Sequence, residues 1–125
     1  DLRCAIEAAD AVFVATPEYN GSLPGQLKNA LDWASRPFRS NSLRGKPVAV
    51  ISASPSSRGA ASAQAELRKV LRVIGARVVG PELAVSRVHE RFDADGRLSD
   101  DVVRVRLREL LVELALATTP VAAAV

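Results

Sequence analysis

The chain has 125 residues, of which 48% are hydrophobic, enough for one domain built around one core. It lacks any run of about 18 apolar residues, which excludes a membrane-spanning helix. Its single cysteine, Cys4, excludes an internal disulfide and allows a reducing compartment. The net charge of +3 is carried mostly by scattered arginines. The densest cluster, Arg104, Arg106 and Arg108, divides between helix faces, so it reads as solvated surface rather than a nucleic-acid patch.

Asp1 to Ala9 reads as the end of a helix, with Leu2, Ala5, Ile6 and Ala9 on one face and Cys4 as a small apolar member. Val12 to Ala15 follows as a short strand, continuously apolar and β-branched at Val12 and Val14, the pattern of a strand covered on both faces. Thr16 to Ser22 is a loop. A helix then runs from about Leu23 to Ala34, with Ser22 as its cap, Pro24 in its first turn, and Leu23, Leu27, Ala30, Leu31 and Ala34 on one side. The loop segment Pro17-Glu18-Tyr19-Asn20-Gly21 therefore sits at the carboxyl end of a buried strand, where open α/β sheets bind ligands.

Arg36 to Pro47 is a polar surface connector. Its Phe38 either packs down or borders a ligand or subunit interface. Pro47 to Ala53 is a second buried strand, and Ser54 to Gly59 its loop. A helix from about Ala60 to Ile74 buries Ala63, Leu67, Val70, Leu71 and Ile74, and Gly75 stops it as a left-handed residue. Arg77 to Gly80 and Pro81 to Val88 form the last extended segment, and Arg91 to Leu98 a turn. Ser99 caps a final helix whose first turn carries Asp100 and Asp101 and which buries Val103, Leu107, Leu110, Leu111 and Leu114. Helices alternating with strands imply parallel pairing with right-handed crossovers. His89, the only histidine, has no partners at triad or metal spacing and reads as a surface residue. Asp93-Ala94-Asp95-Gly96 lacks the distal glutamate of a calcium loop and reads as a tight turn.

The string TPEYNGSLPGQLKNALDW resembles the signature of the NAD(P)H-dependent FMN reductase family. The later segments fit that family in order. The resemblance implies a flavodoxin-like α/β three-layer sandwich with a parallel sheet, residues 1–117 forming a partial FMN-binding domain and 118–125 a flexible tail. The visible strands correspond to the third, fourth and fifth of a sheet ordered 2-1-3-4-5. The N-terminal β-α-β portion with its phosphate loop has no counterpart in this chain. A chain without methionine that begins at Asp1 fits that expectation, as does an unpaired edge on the first visible strand.

By the same resemblance, Pro17, Glu18, Tyr19, Asn20 and Gly21 lie along the isoalloxazine ring and supply backbone N–H groups, with Gly21 permitting close approach. Read from spacing alone, PEYNG is equally a strand-to-helix turn with a capping function, and Tyr19 a core residue. Glu18 is not needed as a general acid or base, since hydride transfer to flavin N5 requires no carboxylate; an interface or loop-fixing role suits it better. Ser54 matches a flavin contact. Its loop precedes a helix N-terminus whose free N–H groups and dipole favour negative charge at flavin N1 and O2. Relatives often carry Met-Gly where this chain has Pro55-Ser56. Gly59, Gln64, Leu67 and Arg68 match a helix that contributes to the subunit interface in relatives, with Ser62 and Ala65 replacing larger residues. No catalytic residue or metal ligand is singled out.

The implied activity is hydride transfer from NAD(P)H to FMN and electron delivery to a quinone, free flavin, azo compound or metal ion. The alternatives are a flavodoxin-like electron carrier or flavin-binding module, and a truncated non-catalytic product that binds FMN weakly. The expected partners are a small-molecule acceptor and further copies of the chain in a homodimer or homotetramer, without nucleic acid or membrane, in the cytoplasm.

Overall fold

A computed structural model describes residues 1–119. In chain order the elements are α1 (Leu2–Ala8), β1 (Val12–Thr16), α2 (Gly25–Ala34), β2 (Pro47–Ala53), α3 (Ala61–Ile74), β3 (Arg77–Val78), β4 (Leu83–Val85) and α4 (Asp101–Leu116). Short 3-10 turns occupy Phe38–Ser40 and Val88–Glu90. Thr118 and Thr119 continue the end of α4 by hydrogen bonds to Ala115 and Leu116 carbonyls. The rest of the expected flexible tail, residues 120–125, lies outside the described residues.

Among the described residues, the four strands of the sheet pair in parallel. β1 runs along β2 from Val12 opposite Val48 to Thr16 opposite Ser52. On the other edge of β2, β3 pairs with Pro47 and Val48 while β4 pairs with Ile51 to Ala53. The single last strand expected between Arg77 and Val88 is thus two short pieces. Pro81 has no N–H to give to a ladder, and Gly80 takes φ +73, so the chain leaves β2 and returns. Val88 belongs to the following 3-10 turn.

Alternation along β2 divides the core into two. Val48 and Val50 pack with Ile6, Leu23, Leu31, Ala34, Leu43, Leu67, Leu71 and Ile74, which places α1, α2 and α3 on one face. Ala49 packs with Leu83, Val85, Leu110 and Leu114, which places α4 on the other. These are the helix, sheet and helix layers of a flavodoxin-like sandwich.

β1 has the unpaired edge expected of it. Several other expectations are corrected. β1 is covered on one face only: Val12 and Val14 join the α2/α3 core, but Phe13 is 40% exposed and Ala15 is exposed as well. α4 lies over β2 and β4, leaving the corresponding face of β1 bare among the described residues. Ser22 does not cap α2; Pro24 takes the N-cap position with an extended backbone, and no side chain caps it. Asp100, not Ser99, caps α4, accepting from the Val103 amide at 2.9 Å. Leu111 faces solvent at 44% exposure because the sheet-facing stripe of α4 is Val103, Leu107, Leu110 and Leu114. Cys4 is exposed. The connector after α2 is not wholly superficial, since Asn41, Ser42 and Leu43 are buried while Phe38 is left half out under the guanidinium groups of Arg36 and Arg44. Trp33 is 68% exposed on the outer side of α2. Among the described residues no helix is long and apolar enough to cross a membrane.

Candidate functional site

Because Thr16 and Ser52 are partners on adjacent parallel strands, the loops that follow them leave the same rim of the sheet. The first loop ends in a two-residue hairpin turn. Tyr19 and Ser22 exchange backbone hydrogen bonds at 2.9 and 3.1 Å, with Asn20 at φ +53 and Gly21 at φ +79. Two successive left-handed residues make a type I′ turn, for which Asn-Gly is the favoured pair. This geometry uses up the Tyr19 amide, which therefore leaves the set of donors expected to face a ligand. The amides of Glu18, Asn20 and Gly21 have no acceptor among the described residues. Tyr19 stands 57% exposed at the turn, so it is not a core residue. A Cβ on Gly21 would meet no atom within 4 Å, so this side of the loop is open.

Two carboxylates fix the hairpin to α3, and they work in opposite directions. Glu18 Oε2 accepts from the Ala63 amide at 3.0 Å, in the first turn of α3. From α3 itself, Glu66 Oε2 accepts from the Ser22 hydroxyl at 2.5 Å and from the Leu23 amide at 3.3 Å. Donation by the Ser22 hydroxyl, then by the Leu23 amide, holds the Glu66 carboxyl below the usual carboxylate range. The loop-fixing role expected for Glu18 thus has a definite partner. It also alters the electrostatics, because the carboxylate sits at the positive end of α3 that was expected to face a ligand.

The second loop is braced by its own hydroxyls. Ser54 Oγ accepts from the Ser56 amide at 3.1 Å, and Ser56 Oγ from the Arg58 amide at 3.3 Å. The Ser54 amide donates to the Val85 carbonyl, and Val88 and Arg87 donate back to Ser54 and Ser56. Three of the amides expected to be free are therefore engaged or braced, leaving those of Ser57 and Gly59 without an acceptor among the described residues. Gly59 (φ +60) lies so close to β4 that a Cβ would fall 2.7 Å from the Ser86 nitrogen.

Below this loop runs a buried polar chain that includes Gln64, which the resemblance places on a helix contributing to the subunit interface and which here bonds within the fold. Ser52 Oγ donates to the Gly59 carbonyl at 2.8 Å, and Gln64 Nε2 donates to Ser52 Oγ at 2.9 Å and to the Leu83 carbonyl at 2.7 Å. Ser52 and Gln64 are almost fully buried. The available signal was a glutamine on the apolar stripe of α3, one turn before Leu67 and Arg68. Arg68 is buried too and donates to the Gly80 carbonyl at 2.9 Å, and desolvation lowers its pKa from the ordinary arginine value.

At the carboxyl ends of β1 and β2, a groove of roughly 320 Å³ is lined by Ala15, Thr16, Pro17, Ile51, Ser52 and Ala53. Of the residues expected at the site, Pro17 forms its wall; Glu18, Tyr19, Asn20, Gly21 and Ser54 belong to the two loops on the same rim without lining it. His89 is exposed beside Glu90, and Asp93 closes its turn by accepting from the Asp95 and Arg97 amides.

Comparison with known proteins matches residues 1–90 to the family described as NADPH-dependent FMN reductase. An NAD(P)H-dependent FMN reductase of Pseudomonas aeruginosa is 46% identical over 116 residues, covering 92% of this chain and 62% of the relative. A 2-hydroxy-1,4-benzoquinone reductase of a Burkholderia species is 40% identical over 111 residues, covering 88% of this chain and 61% of the relative. The solved structure of FerB, a flavoenzyme NAD(P)H:(acceptor) oxidoreductase of Paracoccus denitrificans, superposes with a TM-score of 0.76 at 42% identity, covering 94% of this chain and 63% of that one. The chain spans about three-fifths of the length of these relatives. A family match over residues 1–90, the parallel three-layer fold and the position of the PEYNG loop agree, and the chain belongs to the NADPH-dependent FMN reductase family.

Proposed function

We propose that the chain forms the flavin-ring side of an FMN-dependent NAD(P)H oxidoreductase whose acceptor is a small molecule, a quinone before free flavin, an azo compound or a metal ion. When bound, FMN supplies the chemistry: it takes a hydride from NAD(P)H at N5 and passes the electrons on. The observation that carries the reading is that the Pro17–Gly21 and Ser54–Gly59 loops leave one rim of the sheet from paired strand ends. The donor set fits such a ligand. Amides of Glu18, Asn20, Gly21, Ser57 and Gly59 have no acceptor among the described residues, and the oxygen- and nitrogen-rich edge of an isoalloxazine needs donors of this kind.

Within this reading the protein orients and does not react. Glu18 holds the hairpin in place through Ala63 and stays out of proton transfer. Ser54 keeps its loop in shape through Ser56, and the buried Ser52–Gln64 pair keeps that loop seated on β4. Stabilisation of negative charge on the ring falls to individual amides more than to the α3 dipole, which Glu18 already satisfies. Names of relatives that reduce benzoquinones support a quinone acceptor. A homodimer or homotetramer is supported by the exposed Trp33, Phe38 and Val73. The cytoplasm, where NAD(P)H is supplied, is the proposed setting.

The test is titration of the chain with FMN, followed by flavin fluorescence. Binding should quench the emission, and NADPH added without oxygen should bleach the visible band, which a benzoquinone then restores. Unchanged emission at excess protein refutes the reading. Quenching without bleaching favours a flavin-binding module instead.

A further inference from the structure

The break between β3 and β4 is a bulge of two extra residues. From the Val48–Val78 pairing to the Ile51–Leu83 pairing, β2 advances three residues and the chain beside it five. Side chains from both helical layers take the carbonyls of the bulged segment. Arg68 of α3 donates to Gly80 and Gln64 of α3 to Leu83, while Arg106 of α4 donates to Glu82.

Gln64 and Arg68 stand one turn apart on α3 and are only 1% and 7% exposed. Each has one polar atom unused. Gln64 Oε1 has no donor and Arg68 Nη1 no acceptor among the described residues. Turning the Gln64 amide over would not cure this. The Leu83 carbonyl can only accept, and the Ser52 hydroxyl gives its proton to the Gly59 carbonyl, so both require the amide nitrogen that faces them. Arg68 is equally committed, with Nη2 on the Gly80 carbonyl and Nε turned to the Glu82 carboxylate at 4.0 Å. Buried polar atoms are rarely left without a partner, so these two call for one.

The pair of atoms selects what can sit there. An anion would suit Arg68 but face the Gln64 oxygen, and a cation would meet the opposite conflict. A water molecule donates to the one and accepts from the other. We propose that a single ordered water bridges Gln64 Oε1 and Arg68 Nη1 between α3 and the bulge. It completes a buried polar path from the Gly59 carbonyl through Ser52 and Gln64 to Arg68 and the Gly80 carbonyl. One network then holds both the loop after β2 and the interruption in the sheet. The inference is independent of the flavin reading and needs no bound ligand.

A crystal structure of the chain, at a resolution that shows buried waters, tests it. One peak should lie about 2.7–3.1 Å from both Gln64 Oε1 and Arg68 Nη1. A dry site, a direct Gln64–Arg68 hydrogen bond, or separate waters on the two atoms overturns the proposal. Oxygen-17 relaxation dispersion, which counts long-lived waters in solution, supplies a second arm. The double variant Gln64→Met, Arg68→Met fills the region with flexible apolar chains and should hold one long-lived water fewer than the parent, at unchanged circular dichroism. An equal count in the two proteins overturns the proposal. The crystallographic arm uses no substitution, so it decides the matter even where the double variant does not fold.

Discussion

The Glu18 carboxylate and the Ala63 amide, 45 residues apart in sequence, meet at 3.0 Å and join the first loop of the site to the helix that follows the second. One hydrogen bond therefore ties the first loop to the start of the helix behind the second. It also ends a helix that has no side-chain cap at its N-cap residue, Ala60.

Separating these two contributions gives the first prediction. Glu18→Ala should cost about 1 kcal/mol of stability, the usual cost of losing a helix cap. It should also weaken FMN binding roughly tenfold, which corresponds to about 1.4 kcal/mol. Glu18→Gln keeps an acceptor for the Ala63 amide and should stay within about threefold of the parent affinity. Urea unfolding followed by circular dichroism and flavin fluorescence titration provide the two readings. Equal losses in both variants would mean that the charge matters and the hydrogen bond does not.

Gly59→Ala should be far more damaging. The new methyl would lie 2.7 Å from a backbone nitrogen and 2.8 Å from two carbonyl carbons of β4, none of which can swing aside. Added to the left-handed backbone, the expected cost is about 2–4 kcal/mol. Gly21→Ala meets no atom and should lose only the smaller backbone term, on the order of 1 kcal/mol. Comparing urea midpoints of the two variants measures the difference.

Leu110 and Leu111 are neighbours with opposite surroundings. Leu110 is fully buried between α4 and the sheet, so Leu110→Ala should cost about 2–5 kcal/mol. Leu111 is 44% exposed, and Leu111→Ala should cost about 1 kcal/mol or less. Thermal unfolding of the pair reports which stripe of α4 supports the fold.

Acid should loosen two places together. Glu66 is held below its ordinary pKa by Ser22 and Leu23. Asp100 is held below its own by the Val103 amide first and the Arg91 side chain next, at 2.6 Å. A depressed carboxylate stabilises the folded state above its unfolded pKa and loses that contribution as pH falls through the folded value. Stability should therefore be flat near neutrality and decline below the ordinary carboxylate range. In Glu66→Gln the decline should be shallower, as measured by melting temperature against pH.

Local chemistry made part of this legible in the sequence. Pro47 and the Ser54-Pro55 pair bound β2, Gly75 takes φ +99 at the end of α3, and Asn20-Gly21 adopts its own preferred turn. What escaped depends on distant partners. Ser22 looks like a cap because nothing local reveals Glu66, 44 residues on, as the group it bonds. Val12 to Ala15 looks covered on both faces because its composition is apolar on both, whereas its exposure is decided by where α4 lies. The break between β3 and β4 was announced by Gly80-Pro81 and could have been read as an interruption.

Trp33, the only tryptophan, stands in water on α2. Its emission in the folded chain should already resemble that of the denatured chain, so a fluorescence melt of this protein would be nearly blind to unfolding. The same property makes it a native reporter of its own neighbourhood: a blue shift in its emission would signal that something has covered the outer side of α2.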